Sequence, residues 1–323
     1  MLNVTQPAPE SFLSAYQAAI SYISSSAKSD TVFASVFSRM YINTGWNATI
    51  RLSFRDLLTT YYGASPITYF SSPEEAAHEI NNDVANATNN RIPSLVSPNM
   101  LLLSPLVLVS ALYFKGDWKH AFDKDGAGLF LTQDREKSVE MMKLTGMSFP
   151  YRNMGAYDVI SIPYANEDYC MLIIKPVKRS MDAVAALRDL FDTIDIDRII
   201  EQMSVPRLFD NGKMDITMPR FSVRTDYGLS DAMKELGIQK IFYDADFRGV
   251  FQTKNGVYVG YIVHKVFMEV NENGTEAAGA GAVIFADSVP LPSPQFVVDR
   301  PFFAVVYNKV HKINMFTAYI GSP

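Results

Sequence analysis

Apolar and polar positions along this chain change period repeatedly, and the clearest signal is a strand at Val266–Asn271. There Val266, Met268 and Val270 alternate with Phe267, Glu269 and Asn271. Gly256–Phe267 reads as strand leading into it. Thr31–Ile42 carries another strand through Val32, Phe33, Val36 and Tyr41, and Lys213–Phe221 alternates as Met214, Ile216, Met218. Within Ser104–Phe114 the run LVLVSALYF is almost wholly apolar, which predicts a central strand buried on both faces, with a turn at Lys115–Trp118. Several strands are expected between Lys137 and Ile174, the last stopped by Pro176.

Helical spacing predicts the other elements. Pro7–Ser26 places Phe12, Tyr16, Ala19 and Ile20 on one stripe, and Ile50–Tyr61 follows, closed by Gly63. Ser71-Ser72-Pro73-Glu74-Glu75 is a helix start, with a serine cap, proline in the first turn and glutamates at the positive end. That helix runs through Ala77, Ile80 and Val84 towards Ala87. Ser180–Leu190 and Asp195–Met203 are further helices, and Asp226–Leu236 is a short one closed by a left-handed Gly237. Without an internal repeat or a linker, strands interleaved with helices predict one mixed α/β (α+β) body.

The segment after the strand at Val266–Asn271 is unusual. Glu272-Asn273-Gly274 leads into Thr275–Ala282, which has no large side chain, and Pro290, Pro292 and Pro294 precede a second apolar strand. Gly279 and Gly281 each cost a helix about 0.5–1 kcal/mol, while Val283, Ile284 and Phe285 favour strand. With period two, Thr275, Ala277, Gly279, Gly281, Val283 and Phe285 form one narrow face, able to slide between existing strands. The alternative is a flexible linker. Only about 30 residues follow Pro294, too few for an independent core, so the tail must return to the main body.

Composition removes several functions. At 323 residues, 48% apolar and 20% charged, the chain can bury a large soluble core. A net charge of −5 with no basic cluster argues against nucleic acid, and the longest apolar run, Met100–Val109, is too short for a bilayer. The single Cys170, in the apolar run Tyr169–Leu172, reads as a buried structural thiol and predicts a reducing compartment. With no signal peptide visible, a cytoplasmic protein is expected, or an extracellular one if the N-terminus is incomplete. Sequons at Asn3, Asn47, Asn86 and Asn273 pull towards secretion; a glycan on Asn273 would obstruct any insertion of the small-residue segment. His78, His120, His264 and His311 make no metal pair, and no nucleophile elbow, phosphate loop or dinucleotide fingerprint is present. No catalytic residue, cofactor or metal is therefore expected. His78-Glu79 reads as surface and His264 as a satisfied core histidine.

Taken together, these residues resemble the serpins, a family of suicide protease inhibitors. Val263–Ala278 is similar to the family's fifth strand of sheet A and its hinge. Ile80-Asn81 with Val84, Thr88-Asn89 and Arg91-Ile92 resembles the end of helix F, and Leu106–Gly116 with Trp118 and Phe122 resembles the third strand of sheet A. Ile162-Pro163-Tyr164, Met218-Pro219-Arg220-Phe221, Leu236-Gly237-Ile238 with Phe242, Ala245-Asp246-Phe247, Asp299-Arg300-Pro301-Phe302 and Ile320–Pro323 also fit the family pattern, in order. The terminal Ser322-Pro323 resembles the intracellular branch. Departures are equally plain. Glu10-Ser11-Phe12-Leu13 already looks like helix D, so the resemblance leads one to expect helices A to C to be missing; Ser110 stands for a usual asparagine, and Asp83 for the usual tryptophan of helix F.

The resemblance implies a single serpin-like domain over 1–323, with a large sheet A, sheets B and C, surrounding helices and an exposed reactive-centre loop at about 272–294. It implies a hinge at Gly274, Thr275, Glu276, Ala277, Ala278 and Gly279, and a shutter including Ser110 and His264. A protease would cut the loop, form an acyl intermediate and be dragged away as the loop inserts into sheet A. Counting from Thr275, the fourteenth residue is Ser288, followed by Val289, which suits an elastase-like protease; Asp287, thirteenth, suits a caspase-like or granzyme B-like one. The chain is expected to be a monomer with a risk of loop-sheet polymerisation, binding neither nucleic acid nor membrane. A non-inhibitory or substrate-like member acting as a binding or interaction protein, or a truncated inactive product, is the competing expectation.

Overall fold

The computed structural model describes residues 10–26, 31–62, 67–189, 194–203, 213–252, 256–275 and 294–323. In chain order the elements are α1 (Glu10–Ser26), β1 (Val32–Asn43), α2 (Leu52–Tyr62), β2 (Ile67–Phe70), α3 (Pro73–Ala87), α4 (Pro98–Leu102), β3 (Leu106–Asp117), β4 (Asp123–Leu131), β5 (Glu136–Met147), β6 (Tyr151–Asn153), β7 (Tyr157–Pro163) and β8 (Tyr169–Pro176). They continue as α5 (Met181–Asp189), α6 (Ile196–Met203), β9 (Met214–Pro219), β10 (Phe221–Gly228), α7 (Leu229–Glu235), β11 (Val259–Asn271), β12 (Gly274–Thr275), β13 (Gln295–Val297), β14 (Phe302–Asn308) and β15 (Ile313–Ile320). Three sheets form, with strand orders β10-β11-β12-β3-β1-β2, β13-β9-β5-β4 and β15-β14-β8-β7-β6. This is the mixed α/β serpin-like fold, with its sheets A, B and C.

The chain forms two compact units. The first contains residues 33–114 and 224–267 together with α1. Within it α3 covers one face of the strands: Ala76, Ala77, Ile80 and Val84 pack in one core with Tyr41, Val107, Val109, Ala111, Tyr113, Val263 and Phe267. The helix begins where its local chemistry says it should. The Ser72 hydroxyl accepts from the Glu75 amide at 3.2 Å, and Pro73 fills the first turn. It ends where the Thr88 hydroxyl bonds back to the Val84 carbonyl at 2.7 Å and Asn89 and Asn90 take left-handed φ of 49° and 61°.

The opposite face of β3 differs from expectation. Leu106 is buried, but Leu108, Ser110 and Leu112 are only half-buried, as are Ile262, His264 and Val266 on β11. The run LVLVSALYF is thus fully buried on the α3 side alone.

The second unit contains residues 115–223 and 268–323. Its core lies between the sheet β15-β14-β8-β7-β6 and the helices α5 and α6, with Leu172, Ile174, Phe303 and Val305 packed against Leu187, Ile199 and Met203. Cys170 is buried in this core, and desolvation raises its thiol pKa, as expected of a structural thiol. The predicted turn at Lys115–Trp118 is replaced by strand: β3 runs on to Asp117 because β12 pairs with Gly116 and Asp117. Strand also replaces helix at 226–228, since β10 continues to Gly228 before α7 begins.

Ile80 is 0% exposed in the α3 core, whereas its neighbour Glu79 is exposed. Ile80→Ala is expected to lower unfolding free energy by about 2–5 kcal/mol and Glu79→Ala by no more than about 0.5 kcal/mol, read from urea transitions followed by tryptophan fluorescence.

Candidate functional site

The small-residue segment enters the structure as β12, and the described residues stop at Thr275, its second residue. A two-residue turn at Glu272-Asn273 folds β12 back on β11, pairing Asn271 with Gly274 and Val270 with Thr275. The Asn271 side chain caps this turn by accepting from the Asn273 amide at 3.1 Å. On its other edge β12 pairs with β3, Gly274 against Asp117 and Thr275 against Gly116. Gly274 has φ of 153°, and an added Cβ would overlap the Gly116 carbonyl and lie 2.6 Å from Asp117 Cα. Glycine is needed at this position.

Thr275 is 0% exposed, and its hydroxyl lies 2.9 Å from the Tyr164 hydroxyl. Burial drives the Tyr164 phenol well above its ordinary pKa, so it stays protonated as a partner. Trp118 stacks on Tyr164, with ring centroids 4.7 Å apart and planes 10° from parallel. The same tryptophan donates its indole N–H to the Asn271 carbonyl at 3.0 Å and its backbone amide to Asn273 at 2.9 Å. The Phe122 amide donates to Glu272 at 2.7 Å. The hairpin tip is therefore held by a segment more than 150 residues earlier, for Trp118 and Asn271 are separated by 153 positions.

Charge at the tip is matched incompletely. Glu272 is 9% exposed, and its Oε2 lies 3.6 Å from Arg220 Nε. Its Oε1 and the Asp117 Oδ1 are both buried without a hydrogen-bond partner among the described residues. Burial raises the Asp117 carboxyl pKa, opposed by the charge of Lys115.

The downstream end of the segment is also anchored. The Asp215 amide donates to the Pro294 carbonyl at 2.9 Å, and β13 pairs in parallel with β9. Phe296 of β13 is buried beneath the Lys175 ammonium, 4.8 Å from its ring centre, and meets Tyr151 edge-on. Lys175 pairs with the buried Asp158 at 3.2 Å, which also accepts from Tyr151 at 2.7 Å and Asn153 at 2.8 Å. Burial first, then the Asp158 hydrogen bond, pushes the Tyr151 phenol up to about 12.

In the first unit His264 and Ser110 stand opposite each other in the parallel pairing of β11 with β3. Burial lowers the His264 pKa, and a hydrogen bond to the Ser110 backbone opposes the shift. The Ser110 hydroxyl is 3.5 Å from that of Ser38. From Val259 to Phe267, β11 pairs directly with Leu106–Tyr113 of β3, so no strand lies between them over that length.

Of the residues singled out in the sequence, Gly274 and Thr275 share β12, and Ser110 faces His264. Glu276, Ala277, Ala278, Gly279, Asp287, Ser288 and Val289 lie outside the described residues. Trp118, Tyr164, Arg220 and Glu272 were legible only as pattern matches, and their convergence on the hairpin comes from the fold. The available signal was that Trp118 is one of only two tryptophans in the chain.

A family model described as serpin (serine protease inhibitor) matches residues 1–323. The chain belongs to the serpin family, whose members are generally non-catalytic inhibitors. It is 32% identical over 281 residues to serpin B6 of Pongo abelii, covering 84% of this chain and 72% of that protein. It is 30% identical over 297 residues to neuroserpin of Homo sapiens (88% and 70% covered) and 32% identical over 272 residues to leukocyte elastase inhibitor A of Mus musculus (81% and 71%). Native protease nexin-1, solved with heparin, superposes with a TM-score of 0.76 at 25% identity, covering 97% of this chain and 82% of that one. Thyroxine-binding globulin in complex with thyroxine shares the fold, with a TM-score of 0.78 at 21% identity over 100% of this chain and 84% of its own.

A double-mutant cycle probes the buried hydroxyl pair. Tyr164→Phe and Thr275→Val are each expected to cost about 1–3 kcal/mol by orphaning the other hydroxyl, and the double variant clearly less than their sum. Additive losses in chemical denaturation would mean that the 2.9 Å contact carries no coupling.

Proposed function

We propose that this chain is a suicide-type inhibitor of an endopeptidase, trapping its target as the cleaved segment after Thr275 inserts between β3 and β11. The observation that carries this reading is the seat of Thr275: buried, bonded to Tyr164, and paired on one edge with β11 and on the other with β3. A strand begun at that point extends, residue by residue, between two strands now bonded directly to each other. The alternating small residues Ala277, Gly279 and Gly281 fit such a slot, with Val283 and Phe285 supplying buried area. Gly274, Thr275, Glu276, Ala277, Ala278 and Gly279 then act as the hinge, and Ser110 with His264 as part of the shutter that parts. Inhibitor names among the relatives, including leukocyte elastase inhibitor A, support the same class.

For the target, we favour cleavage after Asp287 over Ser288. Aspartate is the side chain in Val283–Val289 that a basic, strict pocket selects, as in caspase-like or granzyme B-like proteases; cleavage after Ser288 points to an elastase-like one. The buried free Cys170 fits action in a reducing compartment.

Incubation with elastase-like, caspase and granzyme B-like proteases is expected to give a covalent complex that survives SDS, with a released C-terminal fragment beginning at Ser288. A fragment beginning at Val289 with caspases inert removes the Asp287 assignment, and cleavage with no complex favours the substrate reading. Thr275→Arg should keep cleavage and lose the complex, because a charged side chain cannot enter the closed seat.

Loop cleavage should also raise the thermal midpoint sharply, since the inserted strand gains hydrogen bonds on both edges. Calorimetry of intact and nicked protein in parallel tests this, and equal midpoints would mean that no insertion occurs.

A further inference from the structure

We propose that Asp83 is a positioning residue for loop insertion: its ion pair with Arg39 ties α3 to β1, so that α3 travels with β1 and β3 when they part from β11. This rests on the insertion reading above. The need for such a tie follows from where α3 lies. Its buried residues share one core with Val109 and Ala111 of β3 and with Val263 and Phe267 of β11, so the helix lies across the seam that has to open. Apolar contacts are non-directional and do not decide which strand the helix follows.

Asp83 decides it. Its carboxylate is bonded by Arg39 Nη1 and accepts from the Tyr41 hydroxyl at 3.3 Å, and both donors belong to β1. In the sheet order β1 lies beyond β3, away from β11, so the whole tie falls on one side of the seam. The pair is shielded, with side-chain exposures of 23% for Arg39 and 29% for Asp83. The donors are also held in place. The Arg39 guanidinium sits 5.1 Å from the centre of the Phe37 ring, and burial keeps the Tyr41 phenol protonated. Two residues earlier, Asn81 accepts from the Leu95 and Val96 amides at 2.7 and 3.0 Å, binding the segment after α3 to the helix. Helix and β1 thus form one block; the following segment is also held from β11, where the Lys265 ammonium donates to the Ser94 carbonyl at 2.6 Å, an exposed contact that has to break as the strands part.

The test uses Asp83→Ala, the charge-exchanged pair Arg39→Asp with Asp83→Arg, and Glu79→Ala as an exposed control on the same helix. With the protease that forms the covalent complex, Asp83→Ala should shift the products severalfold from complex towards cleaved, released chain. The exchanged pair should recover the parent ratio, and Glu79→Ala should keep it. A role in stability alone would lower the thermal midpoint without moving this ratio, and an unchanged ratio overturns the proposal. Hydrogen exchange of the intact chain needs no protease and judges the tie even where the parent forms no complex and the inhibitory reading itself fails. Faster exchange in α3 relative to β3, reversed in the exchanged pair, supports the tie; unaltered exchange overturns it.

Discussion

The hydrogen-bond ladder between β3 and β11 is the constraint on which the other features depend. Those two strands are parallel and bonded directly to each other from Val259 to Phe267, while β12 is antiparallel to both. Chain that followed β12 between them would exchange one parallel ladder for two antiparallel ones, the more stable kind per residue. That exchange dictates the side chains nearby. Gly274 has no Cβ because Gly116 and Asp117 approach it too closely, and the fully buried Thr275 hydroxyl is matched by that of Tyr164.

The same constraint explains the aromatic pair beneath the hairpin. Trp118 presents a flat face to Tyr164 and two N–H groups to the carbonyls of Asn271 and Asn273. A turn held this way is fixed in height as well as direction. Thr275 therefore enters its seat in one register, and a one-residue slip would turn the alternating small side chains to the opposite face.

Much of the fold was legible where the signal is local. The cap at Ser72 and the proline of the first turn lie within one helix and its flank, and the alternation at Val266–Val270 lies within one strand. Where legibility failed, the deciding partner was distant. In β4 the one fully buried apolar side chain is Phe130, too little for a periodic signal. Gly116 and Asp117 read as turn residues and become strand because β12, more than 150 residues later, pairs with them. Asp83 read as a departure from an aromatic pattern, and only the fold brings Arg39 and Tyr41 to it. Tyr164 and Thr275, separated by 111 positions, carry no mutual sign in the sequence.

The half-buried row on β3 and β11 also bears on calorimetry. Leu108, Leu112, Ile262 and Val266 keep part of their apolar surface hydrated in the folded state. Surface already wet is not newly exposed on unfolding, and it contributes nothing to the heat-capacity increment, which scales with apolar area at about 0.45 cal/K/mol per Å². For its length this unit should have a shallow stability curve, weakly bent with temperature. Its free energy then changes little on cooling, and anything that covered the row would steepen the curve.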